Sequence, residues 1–212
     1  MSPESALELL LARRPDLAVC AEQISAAREA LISVFSRGNK LLLCGNGGSA
    51  ADCDHIAGEL LKGFEKARPL PEELRARLAS QGPEGEKLAA RLQRALPAIA
   101  LTTHVSFATA FANDVEPRMV FAQLVQALGM PGDGLLAITT SGSSENVLLA
   151  ARTARAMGMT VIGLTGGAGG GLAALCDVCI VAPGDATAGV QESHLPIYHY
   201  LCREIEAHFF SE

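Results

Sequence analysis

Five short, unbroken apolar runs constrain the fold of this chain more than any other feature of its sequence. They occupy residues 40–44, 98–101, 135–138, 161–164 and 178–181. Continuous apolar runs of this length are typical of strands that are buried on both faces, as in a parallel sheet. Segments with helical spacing separate the runs, so strands and helices alternate along the chain. This alternation predicts a doubly wound α/β fold.

The predicted helices account for most of the remaining chain. They lie near residues 3–14, 17–37, 50–66, 105–128, 144–157, 170–175 and 190–210, with a break near Pro117. A chain of 212 residues has the usual length of one domain. We therefore predict a single domain over residues 1–212.

Residues 66–96 interrupt this alternation with a highly charged segment that contains several prolines. Its pattern predicts a helical hairpin, with helices near residues 71–79 and 84–95. Two interpretations are open. The insertion is a solvated surface feature, or it is a lid or a contact between subunits.

The composition excludes some classes of function. The net charge is −6, the aromatic content is 4% and there is no Trp. An acidic chain is a poor binder of polyanions, and single-stranded nucleic acids need aromatic side chains for stacking. We therefore expect no nucleic-acid partner. A pocket for one small phosphate stays open, because backbone N–H groups at a helix start can bind it.

The sequence also predicts where the protein works. The chain has six cysteines, an N-terminus without an apolar secretion-signal core, and no charge-free apolar stretch of about 18 residues. In a chain of this length, free buried thiols are favoured over disulfides. We expect a cytoplasmic protein without a membrane span.

Two polar loops follow predicted strands. Residues 45–49 read Gly-Asn-Gly-Gly-Ser, and residues 139–146 read Thr-Thr-Ser-Gly-Ser-Ser-Glu-Asn. Ligands bind at the carboxyl ends of the strands in open α/β sheets, and glycines and hydroxyls before a helix suit a phosphate monoester. The first loop lacks a third glycine for a dinucleotide site, and the second lacks the Gly-Lys of a triphosphate loop. A ligand-free turn and ordinary helix capping are the alternatives.

His55 and Glu59 form the other candidate for chemistry. They stand four residues apart on a predicted helix, so they project from one face and could share a metal ion or form a surface salt bridge. Candidate partners lie near the C-terminus at Gln191, Glu192, His194 and His199. The residues alone do not rank His194 against His199.

Together these segments resemble a known family. GNGGSAADCDHIAGEL, PAIALTT, ANDV, LLAITTSGSSENVLLAARTARAMGMTVIGLTG and VQESHLPIYH are similar, as an ordered set, to the sugar isomerase (SIS) domain, and most of all to the phosphoheptose isomerases. The resemblance implies a flavodoxin-like α/β/α sandwich, in three layers, around a five-stranded parallel sheet. It also implies a homotetramer packed through the N-terminal helical segment 1–37, with active sites near subunit interfaces.

The resemblance assigns residues to roles. Glu59 and His199 match the family's acid/base pair, and a Zn²⁺ ion would be bound by His55, Glu59, Gln191 and His199. The phosphosugar would be held by Asn46, Gly47, Gly48, Ser49, Glu59, Asn113, Asp114, Thr139, Thr140, Ser141, Ser144 and Gln191. The implied reaction converts sedoheptulose 7-phosphate to D-glycero-D-manno-heptose 7-phosphate through an enediol. Alternatives are a non-catalytic tetrameric adaptor that binds a replication initiator, or a sugar-phosphate sensor.

The implied ligand set raises a geometric question. Gln191 and His199 are eight residues apart, or about 12 Å along a regular helix. Either Gln191 leans in from the helix entrance or two subunits share the site. Pro196 predicts a helix start shortly before it, because proline is tolerated in the first turn. The chain also departs from the family at Gly63 and at Thr187-Ala188-Gly189, where relatives usually carry charged residues.

Overall fold

A computed structural model describes residues 3–210, as five strands and ten α-helices. The strands are β1 (Leu41–Cys44), β2 (Ala98–Ala100), β3 (Gly134–Thr139), β4 (Thr160–Thr165) and β5 (Val178–Val181). The helices are α1 (Pro3–Arg13), α2 (Ala21–Ser36), α3 (Gly48–Leu61), α4 (Glu72–Ala79), α5 (Pro83–Arg91), α6 (Val105–Asp114), α7 (Val120–Leu128), α8 (Glu145–Ala156), α9 (Gly170–Ala173) and α10 (Thr187–Phe209). Every predicted strand is present.

All five strands run parallel, in the order β2-β1-β3-β4-β5. β1 lies between β2 and β3, so that Leu42 pairs with Ile99 on one side and Leu135 on the other. The connections leave β1 and β3 in opposite directions, which opens a crevice at the carboxyl ends of these two strands. The loops 45–49 and 139–146 border this crevice.

Both faces of the sheet are covered, which explains the unbroken apolar runs. Leu41 and Leu43 belong to a core that the sheet shares with α2, α3 and α10. Leu42 and Cys44 point the other way, into a core shared with α7 and α8. The predicted three-layer α/β/α sandwich is therefore confirmed. None of the helices within residues 3–210 has the length and apolar character needed to cross a membrane.

The charged segment 66–96 contains α4 and α5, which pack on each other. The second of these helices ends at Arg91, before the predicted end at residue 95. The segment is held at its base by Arg68, whose guanidinium is fully buried. This group donates to the carbonyls of Glu59 (2.9 Å) and Leu60 (2.7 Å), which lie in the last turn of α3 and lack helical partners.

The inference from Pro196 about the start of the last helix was wrong. α10 begins at Thr187, so Pro196 lies inside the helix, nine residues after its start. Proline has no N–H, so the carbonyl of Glu192 loses its partner four residues on. Arg14 replaces that partner: its Nη1 donates to the Glu192 carbonyl (3.1 Å) and its Nη2 to Ser193 Oγ (3.0 Å).

Candidate active site

The first loop brings the backbone close to whatever binds at the crevice. Gly47 has a positive φ of 56°, which a side chain would oppose, and α3 begins at the next residue. A Cβ at Gly45 would lie 2.8 Å from the carbonyl oxygen of Ser49. Asn46 is exposed beside them, and Ser49 is buried. The loop therefore ends at the start of a helix, whose partial positive charge suits an anion.

The second loop has hydroxyls that helix capping does not use. Ser144 stands at the N-cap of α8, yet its hydroxyl contacts Thr139 Oγ1 (2.8 Å) instead of capping the helix. Thr140 is half-buried and Ser141 is exposed. Capping alone therefore does not explain this run of hydroxyls.

An asparagine pair joins the two loops. The side-chain amides of Asn46 and Asn146 donate to each other's oxygens, each at 2.9 Å. Asn146 was not among the predicted site residues. Its partner is 100 residues away, so only the matching amide types after two neighbouring strands could have indicated the contact.

A cavity of about 270 Å³ lies beside the second loop. Thr140 and Ser141 form one wall, and the rest is formed by the loops before α9 and α10, including Asp185, and by the first turn of α10 from Thr187. The cavity is large enough for a small polar ligand. It also brings the start of α10 to the crevice, where Gln191 follows one turn later.

Gln191 leans towards the first loop and away from His199. A Cβ on Gly48 would collide with the amide nitrogen of Gln191 and would lie 2.8 Å from its Cδ. Gly48 is seven residues before His55 on α3, which is roughly 10 Å along the helix. Within one chain, Gln191 therefore belongs to the crevice and not to the cluster around His55.

That cluster forms where the middles of α3 and α10 meet. His55 Nε2 is 3.3 Å from Glu59 Oε1, and the ring centroids of His55 and His199 are 5.0 Å apart. Lys62 Nζ lies 3.5 Å from the other oxygen of Glu59. Lys62 thus supplies a positive charge next to Gly63, the position where the family resemblance implied a basic residue. The glycine itself is required, since a Cβ there would lie 2.6 Å from the Lys66 carbonyl.

Burial sets the electrostatics of this cluster. It lowers the pKa of His199, and neighbouring His55 lowers it further, against the opposing effect of Glu59. His199 is therefore neutral at pH 7 and able to accept a proton or bind a metal ion. Its Nε2 is buried and, within the described chain, has no hydrogen-bond partner. Burial also raises the pKa of Asp52, against the hydrogen bond from Tyr198.

The structure distinguishes the two C-terminal histidines. His194 is completely buried, and its Nε2 lies 3.3 Å from the carbonyl oxygen of Thr165. Burial lowers the pKa of His194 to about 4. His194 is thus a neutral core residue, whereas His199 belongs to the cluster with His55 and Glu59.

Other predicted site residues remain apart from these groups. Asn113 and Asp114 end α6, are both exposed, and are joined by a hydrogen bond of 2.8 Å. No hydrogen bond within residues 3–210 links either of them to the loops. Between Pro3 and Phe210, no three His, Cys, Asp or Glu side chains converge as a group ready to hold a metal ion.

Comparison with known proteins defines the class first. A family model described as the SIS domain matches residues 17–90 and 83–166, which together span more than half of the chain. The parallel five-stranded sandwich and the polar loops at its crevice agree with that match. The fold is therefore the SIS fold, as the resemblance implied.

Sequence relatives and solved structures narrow the class further. Phosphoheptose isomerases from Roseiflexus sp. (strain RS-1) and Thiobacillus denitrificans are 40% and 44% identical over 200 and 190 residues, covering 94% and 88% of this chain and 89% and 84% of theirs. The structure of the phosphoheptose isomerase from Neisseria gonorrhoeae superposes with a TM-score of 0.74 at 34% identity, covering 94% of both chains. The one from Francisella tularensis also gives 0.74, at 36% identity over 95% of this chain and 93% of that one. The chain belongs to the phosphoheptose isomerase family.

Proposed function

We propose that this protein is an aldose–ketose isomerase that converts sedoheptulose 7-phosphate to D-glycero-D-manno-heptose 7-phosphate through an enediol. One observation carries the proposal. Glu59, His55 and His199 meet on two helices that begin at the crevice with the polar loops. The family relationship supports the same class of reaction.

The chemistry requires three components. A base must take a proton from a carbon next to the carbonyl, a second group must carry a proton between the two oxygens, and the distant phosphate must be held. Glu59 supplies the base, and His199 is neutral at pH 7 and carries the second proton. The first loop, Asn46 to Ser49, and the second, with Thr139, Thr140, Ser141 and Ser144, bind the phosphate and sugar.

Zinc is part of this proposal. The nitrogens of His55 and His199 and the oxygens of Glu59 and Gln191 are donors that Zn²⁺ accepts. The buried and unpartnered Nε2 of His199 fits an unused metal ligand. When bound, zinc would supply a Lewis acid that polarises the sugar carbonyl.

We further propose a homotetramer whose subunits share each site, with the 1–37 segment at the interface. Gln191 lies against Gly48 and not beside His199, so a second subunit is needed to bring these side chains together. Leu9 on α1, Val19 after it and Leu195 on α10 expose apolar surface that subunit packing would cover. Location in the cytoplasm stays a prediction.

The assay of conversion tests the function. Purified protein is expected to convert sedoheptulose 7-phosphate to the aldoheptose 7-phosphate, and Glu59→Gln is expected to lower kcat by at least about 100-fold because it removes the base. Glu84→Gln, on exposed α5, is the matched control and should leave kcat unchanged. Full activity in Glu59→Gln would refute the assigned role. Tight binding without turnover in the wild type would favour the sensor.

A further inference from the structure

Tyr198 of α10 contacts two side chains of α3, His55 and Asp52, through its hydroxyl group. Its hydroxyl lies 3.1 Å from His55 Nδ1 and 3.2 Å from Asp52 Oδ1. The Tyr198 side chain is almost fully buried, with 2% of its surface exposed. The phenol is thus shielded from water, which strengthens the hydrogen bonds that it makes.

The direction of these hydrogen bonds follows from the number of protons. The Tyr198 hydroxyl has a single proton to donate and two neighbouring polar atoms. That proton goes to Asp52 Oδ1, which accepts it at 3.2 Å. The phenol oxygen must then accept from His55, which places the proton of the neutral imidazole on Nδ1.

The other nitrogen of His55 consequently faces Glu59 with its lone pair. His55 Nε2 and Glu59 Oε1 are 3.3 Å apart, and both are acceptors in this arrangement. Two acceptors at that distance suit a cation held between them. Histidines that bind metals generally donate their other N–H to an acceptor, which fixes the ring and its tautomer.

We propose that Tyr198 and Asp52 are positioning residues that fix His55 as the Nδ1–H tautomer, with Nε2 directed at Glu59. The importance of this tautomer for catalysis rests on the proposed function of the His55–Glu59–His199 cluster. The tautomer itself does not rest on that function. Neither Tyr198 nor Asp52 was a predicted site residue, because the link joins two helices separated by more than 140 residues.

Nuclear magnetic resonance tests the tautomer directly. Two-bond ¹⁵N correlation spectra of the full-length, EDTA-treated protein with ¹⁵N-labelled histidine distinguish the two tautomers at pH 8, and His55→Gln assigns the signal. The wild type should show Nδ1–H at His55, and Tyr198→Phe should lose this single tautomer. Tyr200→Phe is the matched control, a buried tyrosine two residues away on the same helix, and should match the wild type. An Nε2–H tautomer in the wild type, or an unchanged one in Tyr198→Phe, would overturn the proposal.

Zinc affinity is the second readout, measured by competition with a chromophoric chelator. Tyr198→Phe and Asp52→Ala should weaken zinc binding by about 10- to 100-fold, as loss of outer contacts generally does. They should lower kcat more than they raise KM, because the phosphate loops are untouched. Asp52→Asn keeps an acceptor for Tyr198 and should recover most of the affinity. Equal affinity in Asp52→Ala and Asp52→Asn would contradict the role of Asp52.

These experiments separate the two proposals. A wild type that shows the Nδ1–H tautomer but turns over no sugar phosphate would contradict the proposed function and leave this inference intact. An active wild type whose His55 tautomer is insensitive to Tyr198→Phe would contradict only the inference.

Discussion

At the scale of single residues, the site depends on which atoms are missing as well as on those present. Gly48 has no side chain, and Gln191 occupies the space that a Cβ would need. His194 and His199 are the same residue type on one helix, but complete burial makes one of them structural. The position and protonation of each side chain therefore depend on its neighbours more than on its residue type.

Gly48→Ala should displace Gln191 and reduce turnover by about 10-fold or more, since small misplacements in an active site cost rate steeply. The matched control is Gly58→Ala in the same helix, where a Cβ meets no atom within 4 Å. That variant should keep full activity and gain up to about 1 kcal/mol of stability, because Ala favours helix over Gly. Equal activity in both variants would contradict the placement of Gln191.

Stability should depend on pH through His194. The pKa of His194 is about 4 in the folded protein, below the ordinary value of 6.5, so the unfolded chain binds more protons between these values. The free energy of unfolding therefore falls as pH falls through this window. The contribution of His194 to that loss is about 2 kcal/mol between pH 7 and pH 5.

Urea denaturation at the two pH values measures this loss. His194→Gln has no proton to gain and should show a correspondingly smaller decrease between pH 7 and pH 5, even if it is less stable at both. Parallel decreases in the two proteins would show that His194 does not contribute.

At the scale of helices and strands, the periodic parts of the fold were predictable and the exceptions were not. The runs at β1 and β3 predicted buried strands because both faces of the sheet are covered. Pro196 misled the prediction of where α10 begins, because its missing hydrogen bond is replaced by Arg14, which is 178 residues from Glu192. The contacts Asn46–Asn146 and Tyr198–His55 could not be predicted either, since residue types alone do not reveal which loops and helices meet.

Arg14→Ala should leave the Glu192 carbonyl unpaired and lower the free energy of unfolding by about 1 kcal/mol. Pro196→Ala restores an N–H that can reach the same carbonyl within the helix. In that background, Arg14→Ala should cost less. Urea denaturation of the wild type, the two single variants and the double variant, all at the same protein concentration, gives the coupling energy between Arg14 and Pro196. If Arg14→Ala lowers the free energy of unfolding equally in the wild type and in the Pro196→Ala background, Arg14 does not replace the missing hydrogen bond.

At the scale of the whole molecule, α3 of one subunit begins at the first polar loop and carries His55 and Glu59 of the cluster with His199 roughly 10 Å further along. The sequence indicated both the polar loops and the cluster of His55, Glu59 and His199. It did not indicate that Gln191 would lie at the first loop, because its spacing of eight residues from His199 fitted either a site within one chain or a site shared by two subunits. The monomer favours the arrangement that needs a second subunit.

Mixing inactive variants tests the shared site. Gln191→Ala and His199→Gln should each abolish most activity alone. Denaturing and refolding them together should restore a fraction of wild-type activity, because some hybrid sites then take the intact Gln191 from one subunit and the intact His199 from the other. A mixture as inactive as its components would place both side chains in one chain's site, and a monomer by light scattering would exclude sharing altogether.

The proposed isomerase activity is tested most directly by the reaction of the wild-type protein with sedoheptulose 7-phosphate in D₂O, followed by proton and phosphorus NMR. We expect a new aldoheptose 7-phosphate, with deuterium entering at C2 because the proton on Glu59 exchanges with solvent at the enediol stage. With Glu59→Gln, neither product nor deuterium should accumulate. Unchanged substrate in the presence of the wild type, with the sugar phosphate still bound, would contradict the assignment of this chain as an isomerase.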